Sequence, residues 1–161
     1  MKTLCVIDVQ KDFVPHTSDF SEKVINNCIT LIQRYKKLEL PIIFVEYVGF
    51  GSTVENLKFL VKGYNKFYTI KKTEMSGGRK IVNLINKHNL PTDLEFCGVN
   101  WQQCVGATIY DIINSGNNFN ISAYRNASNP YSYTDQNFYW VDMKKLVKIK
   151  YVKRRKNEIV L

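Results

Sequence analysis

The sequence predicts an α/β protein: a three-layer α/β/α sandwich around a six-stranded parallel sheet. Three observations carry the prediction. The apolar runs TLCVID, IIFVEYV and LEFCGV are continuous rather than alternating, as in strands covered on both faces. The segments between them repeat apolar residues at i, i+3 and i+4, the spacing of an amphipathic helix. The 161 residues hold no internal repeat, low-complexity block or Pro/Gly-rich linker, so the reading is one domain over 1–161.

In order, residues 3–8 form the first strand, closing at an acid. Residues 21–38 carry apolar side chains at 24, 25, 28, 31, 32 and 35, a helix with Ser21 as its predicted cap. Pro41 opens the second strand, IIFVEYV, and a helix over 53–62 stops at Gly63. The third strand is FYTI at 67–70, followed by a helix over 79–88 with Ile81, Leu84 and Ile85 on one face. LEFCGV at 94–99 is the fourth strand, and a helix over 101–115 ends at Gly116. FNISAY at 119–124 is the fifth strand, 135–145 a short helix, and 147–152 the sixth strand.

Composition narrows the function classes. A 45% hydrophobic, 23% charged chain is that of an ordinary globular protein. No apolar run reaches the roughly 18–20 residues that a membrane-spanning helix needs. Asp8, Lys11 and Asp12 follow the first apolar run at once, without a small-residue cleavage site, which argues against a secretory leader. The four cysteines, at 5, 28, 97 and 104, lack any C-x-x-C pairing and sit in apolar segments, so they read as reduced thiols of a cytoplasmic protein.

The formal charge of +9 is local. Eight cations between Lys144 and Lys156 leave about +1 on the rest of the chain. Val147, Ile149 and Tyr151 alternate with Lys148, Lys150 and Val152, which fits an edge strand with solvated lysines. No groove-reading motif accompanies the charge, so specific nucleic-acid binding is not expected, nor is a membrane partner.

Open parallel sheets place their sites outside the carboxyl ends of the strands. Asp8 ends the first strand, Lys72 lies just past the third, and Cys104 lies in the first turn of the helix after the fourth. VIDVQKDF at 6–13 resembles the D-x-Q-x-D-F opening of the isochorismatase-like cysteine hydrolases, which include nicotinamidases and carbamoylsarcosine amidohydrolases. IKKTEMS at 70–76 is similar to that family's K-x-x-x-S segment. CGVNWQQCVGATIYDI at 97–112 resembles its G-V-x-T-x-x-C-V-x-x-T-A-x-D-A block.

The resemblance implies strand order 3-2-1-4-5-6 and amide hydrolysis through a thioester, with Asp8, Lys72 and Cys104 as the triad. The thiolate is the nucleophile, and a helix start and the Lys72 ammonium supply positive potential beside it. Asp8 would move protons between thiol, leaving amine and water. The oxyanion hole carried over from the family is the backbone N–H of Asn100 and of Cys104, with a cis peptide at Val99–Asn100. The resemblance also implies a homo-oligomer, dimer or tetramer. Only the motif spacing selects Lys72 over Lys71, and Cys5, Cys28 and Cys97 read as inert core.

Three departures alter the pocket. Ser76-Gly77-Gly78 stands where the family reads S-A-F, Trp101 replaces its threonine, and Gln103 precedes the nucleophile. Phe13 and Trp101 are candidate substrate-wall residues. Arg79 is a candidate for holding a substrate carboxylate, or else a solvated helix-start arginine. No cofactor and no catalytic metal are expected. The nicotinamidase branch uses a D-x-H cluster after the second strand, whereas VEYVGFGSTVEN has no histidine, and His16 and His88 lie elsewhere. The rival reading is a catalytically idle member of the same fold that serves as a binding module.

Overall fold

In the computed structural model, which describes residues 1–14, 19–128 and 147–153, the apolar runs form strands β1 (Lys2–Ile7), β2 (Ile42–Tyr47), β3 (Phe67–Lys72), β4 (Asp93–Gly98), β5 (Asn120–Ser128) and β6 (Lys148–Lys150). Between them lie helices α1 (Asp19–Lys37), α2 (Glu55–Val61), α3 (Gly78–His88) and α4 (Gly106–Asn114). A π-helical turn, Trp101–Val105, leads into α4. Every neighbouring strand pair is parallel, and the sheet order is β3-β2-β1-β4-β5-β6. The order reverses at β1, which has β2 on one side and β4 on the other. That switch point is where such sheets leave a crevice.

The layers follow from side-chain alternation along each strand. On β1, Leu4 and Val6 pack with Val24, Leu31 and Ile32 of α1 and Leu57 of α2. Cys5 and Ile7 point the other way, onto Ile81 and Ile85 of α3 and Ile109 and Ile112 of α4. Burying one such side chain contributes about 1.5–3 kcal/mol, against at most about 0.7 kcal/mol per residue for ordinary helix propensity. Packing on the sheet therefore holds α1 and α3 in place.

Several boundaries differ from the sequence reading. α1 begins at Asp19, so Ser21 lies inside its first turn and not at its cap. β3 runs on to Lys72, which closes the strand instead of following it. β5 extends to Ser128 because a register shift between Phe96 and Gly98 renews its pairing with β4. β6 stops at Lys150, since the Asn126 side chain takes over the backbone of Val152, accepting its N–H at 2.7 Å and donating to its carbonyl at 3.0 Å. Val152 accordingly turns inward and Tyr151 outward, against the simple alternation. Nor is every lysine of this strand solvated, because Lys150 pairs with the buried Glu95. The predicted helix over 135–145 and the cations 154–156 lie outside the described residues.

Candidate active site

The chain leaves β1 through a tight crossing. Asp8 takes a left-handed conformation, φ 51°, which Asp tolerates better than most residues. Its N–H still donates to Val45 on β2 at 2.9 Å. Beside it, Gly98 has φ +138°, and a Cβ there would stand 2.1 Å from the Ile7 carbonyl oxygen. Only glycine lets β4 end this close to β1. The backbone thereby turns the Asp8 side chain into a fully enclosed position, at 0% exposure.

Lys72 reaches the same place from β3. Along that strand Lys71 points out and Lys72 in, so the strand's alternation separates the two adjacent lysines. The Lys72 side chain is 1% exposed, and its Nζ stands 2.8 Å from Asp8 Oδ2. The ammonium also donates to the Met75 carbonyl at 2.7 Å and lies 4.6 Å from the centre of the Tyr47 ring. These contacts offset the cost of burying the charge. Tyr47 is register partner to Lys72 at the ends of β2 and β3. Sequence reasoning missed Tyr47, although the strand-end rule that located Asp8 applies to it equally.

Cys104 is the fourth residue of the π-helical turn and is 4% exposed, against none for the other three cysteines. π-helical turns are uncommon and concentrate at functional sites. The thiol lies beside both Asp8 and Lys72, so the structure brings the three expected residues together. Burial, then the Asp8 carboxylate, push the Cys104 thiol up to about 11, with Lys72 opposing. Burial and the negative neighbour thus act against the expected thiolate, and the ammonium acts for it. Asp8 is also raised above the ordinary carboxylate value, by burial first, while Lys72 holds it down. Neither Asp8 oxygen has a well-aligned hydrogen-bond donor among the described residues; the Lys72 contact is a close ion pair without that alignment. A buried carboxylate left so is an acceptor in waiting.

The remaining candidates divide. Gln10 is fully buried and ties the β1 end to the loop after β2. It accepts the Tyr47 N–H at 2.6 Å and donates to the carbonyls of Tyr47 and Gly51 at 2.9 and 2.6 Å. Phe13 stacks on Phe50 at 4.5 Å, with Tyr47 edge-on to Phe50 at 5.0 Å, an aromatic group next to the buried lysine. Trp101 is 1% exposed and belongs to the core under α3 and α4 together with Cys104 and Val105. Arg79 is exposed at the start of α3, its backbone N–H bonded to Asp111. The peptide bonds of the described residues are all trans, so the expected cis bond at Val99–Asn100 is absent. Gly98 at φ +138° and Asn100 in the left-handed region (φ 58°, ψ 55°) make that reversal instead. Among the described residues no three His, Cys, Asp or Glu side chains gather as metal ligands would. No described helix is long and apolar enough to cross a membrane.

A family model described as an isochorismatase domain matches residues 2–149. No curated protein matches the sequence. Solved structures do match in fold. A ribonuclease from Caenorhabditis elegans is 24% identical at TM-score 0.79, with 94% of this chain and 76% of that chain covered. An N-carbamoylsarcosine amidase from Thermoplasma acidophilum is 14% identical at TM-score 0.77, covering 97% of this chain and 99% of that one. A nicotinamidase from Staphylococcus aureus is 17% identical at TM-score 0.78, covering 92% and 98%. At these identities the likeness is one of fold.

Proposed function

Since the chain belongs to the isochorismatase family, we propose that it is a metal-independent cysteine hydrolase that cleaves a C–N bond of a small amide, ureide or carbamoyl compound. The observation that carries this reading is the buried Asp8 carboxylate. It lies 2.8 Å from the Lys72 ammonium and beside the Cys104 thiol, at the carboxyl ends of three strands. Amidases among the fold neighbours support the same reaction class. The donor set supports metal independence: Glu46 near the end of β2 and Glu55 at the start of α2 flank a loop without histidine, and Glu46 is engaged by Thr53 at 2.7 Å.

In this reaction Asp8 takes the Cys104 proton as the sulfur attacks the carbonyl carbon. Charge then moves from carboxylate to the substrate oxygen, where the backbone N–H groups of Asn100 and Cys104 are the proposed donors. Lys72 keeps Asp8 ionised between turnovers and is held within reach by the Met75 carbonyl. Asp8 returns the proton to the departing nitrogen, the C–N bond breaks, and a Cys104 thioester remains. Water then gives Asp8 a proton and attacks the thioester; the acid leaves and the thiol regains its proton. Phe13, beside Phe50 and Tyr47, is the proposed wall for the substrate body.

The test is ammonia release from a panel of small amides and ureides, with RNA as a further member. Wild type should release ammonia from at least one amide or ureide, and Cys104→Ala should release none. RNA cleavage that survives Cys104→Ala, with no amide cleaved, would replace this reading by the chemistry of the ribonuclease neighbour.

A further inference from the structure

The proposed chemistry needs thiol and ammonium at a fixed separation, yet the two sit on different layers: Cys104 on the π-helical turn, Lys72 on the sheet. We infer that Thr108 is a positioning residue that sets this separation; the inference rests on the cysteine-hydrolase reading of the site. Thr108 follows the nucleophile by one turn and is fully buried. Its hydroxyl donates to the Cys104 carbonyl at 2.6 Å, a bond threonines often make within a helix. The same hydroxyl accepts the backbone N–H of Gly77 at 3.0 Å, and that bond leaves the helix altogether. It crosses to the β3–α3 loop, whose Met75 carbonyl receives the Lys72 ammonium at 2.7 Å. One hydroxyl therefore joins the backbone of the nucleophile to the backbone that aims the lysine.

A second contact seats the loop. Asp111, further along α4, accepts both the Ser76 hydroxyl at 2.9 Å and the Arg79 N–H at 3.1 Å on one carboxylate oxygen. The Ser76 oxygen in turn accepts the Gly78 N–H at 3.0 Å. The glycine pair makes the approach possible. A Cβ on Gly77 would stand 3.0 Å from Val45 Cγ1 and 3.6 Å from Lys72 Cδ. One on Gly78 would stand 2.8 Å from both Asp111 Cβ and the Thr108 carbonyl oxygen. Gly77-Gly78 is thus the fitting that admits α3 to α4. Asp111 caps α3, whereas Thr108 bonds the nucleophilic residue itself.

The test reads alkylation of Cys104 by iodoacetamide, followed by mass spectrometry from about pH 7 to about pH 10. The proteins compared are wild type, Thr108→Val, Thr108→Ser and Gly77→Ala. Among the described residues, the charged groups facing the thiol are Asp8 and Lys72. Freeing the loop weakens the pull of the ammonium and leaves burial and Asp8 in force. Thr108→Val should therefore alkylate about tenfold more slowly in this range, the equivalent of one pKa unit. Thr108→Ser, which keeps the hydroxyl, should restore the wild-type profile, and Gly77→Ala, which displaces the loop from its other side, should reproduce the slowing. A Thr108→Val protein with a lower melting temperature but the wild-type alkylation profile would overturn the inference. Should Thr108→Val fail to fold, a wild-type profile in Gly77→Ala overturns it equally. Alkylation needs no substrate, so failure of the amide panel defeats the hydrolase reading, and an unchanged alkylation profile defeats this one.

Discussion

Asp8 is buried as completely as Ile7 before it, and a carboxylate in that position carries a standing cost. Its left-handed backbone adds strain on the order of 1–3 kcal/mol. A purely structural role would be served by an apolar residue, so the burial itself argues for chemistry. Asp8→Asn keeps the shape and removes the proposed proton carrier; turnover should fall by roughly 10²–10⁴-fold with an unchanged circular dichroism spectrum. Because burial raises this carboxyl, and the base must be ionised to act, activity should fall with acid at a pH above the ordinary Asp value of 3.8. Asp8 and Cys104 were legible in the sequence because each stands at a strand end or helix start with a motif around it. Lys72 required the motif, because the apolar run ends the third strand at residue 70, short of the alternation that turns Lys71 out. Tyr47 carried a signal in its place at the end of the second strand, but its pairing with Lys72 shows only in the register of β2 and β3.

At the scale of elements, the sheet, α1 and α3 were legible from apolar periodicity, and the departures from it have local causes. β6 is short because a side chain of β5, Asn126, captures Val152. The Gly77-Gly78 step read only as a difference from the family, since its reason is α4, about thirty residues away in sequence. The peptide before Asn100, expected to be cis as part of the oxyanion hole, is trans, and a glycine at φ +138° with Asn100 left-handed carries the chain off β4. Gly98→Ala should accordingly cost more than about 3 kcal/mol or prevent folding, because its Cβ meets backbone and its φ disfavours any side chain. Gly116→Ala, with φ +73° and nothing within 4 Å, should cost only about 1–2 kcal/mol. Urea unfolding of the two variants measures the contrast.

Across the whole molecule, the strand order that the resemblance implied is the order observed, and it explains why residues 96 apart in sequence share one crevice: β1 and β4 are neighbours. The other end of the sheet carries a different device. Glu95 on β4 accepts the Lys2 ammonium of β1 at 2.7 Å, the Tyr124 hydroxyl of β5 at 2.6 Å and the Lys150 ammonium of β6, so one carboxylate joins four strands. Burial alone would raise it, but hydrogen bonds from Lys150, Lys2 and Tyr124 outweigh burial and hold it at about 2. A folded value below the unfolded 4.5 stabilises the protein above about pH 4.5, and that stability is lost as pH falls through about 2. The stability difference between wild type and Glu95→Gln should shrink by about 3 kcal/mol over that interval, read by denaturant unfolding at each pH.

The central claim is that Cys104 carries the acyl group during turnover. Rapid acid quenching of wild type with an amide it hydrolyses, followed by peptide mass spectrometry, tests it most directly. The expected result is a mass increment equal to the acyl part of the substrate on the peptide containing Cys104, removed by hydroxylamine and absent from Cys104→Ala. Turnover that proceeds in Cys104→Ala at the wild-type rate, with no adduct at residue 104 in either protein, would contradict it.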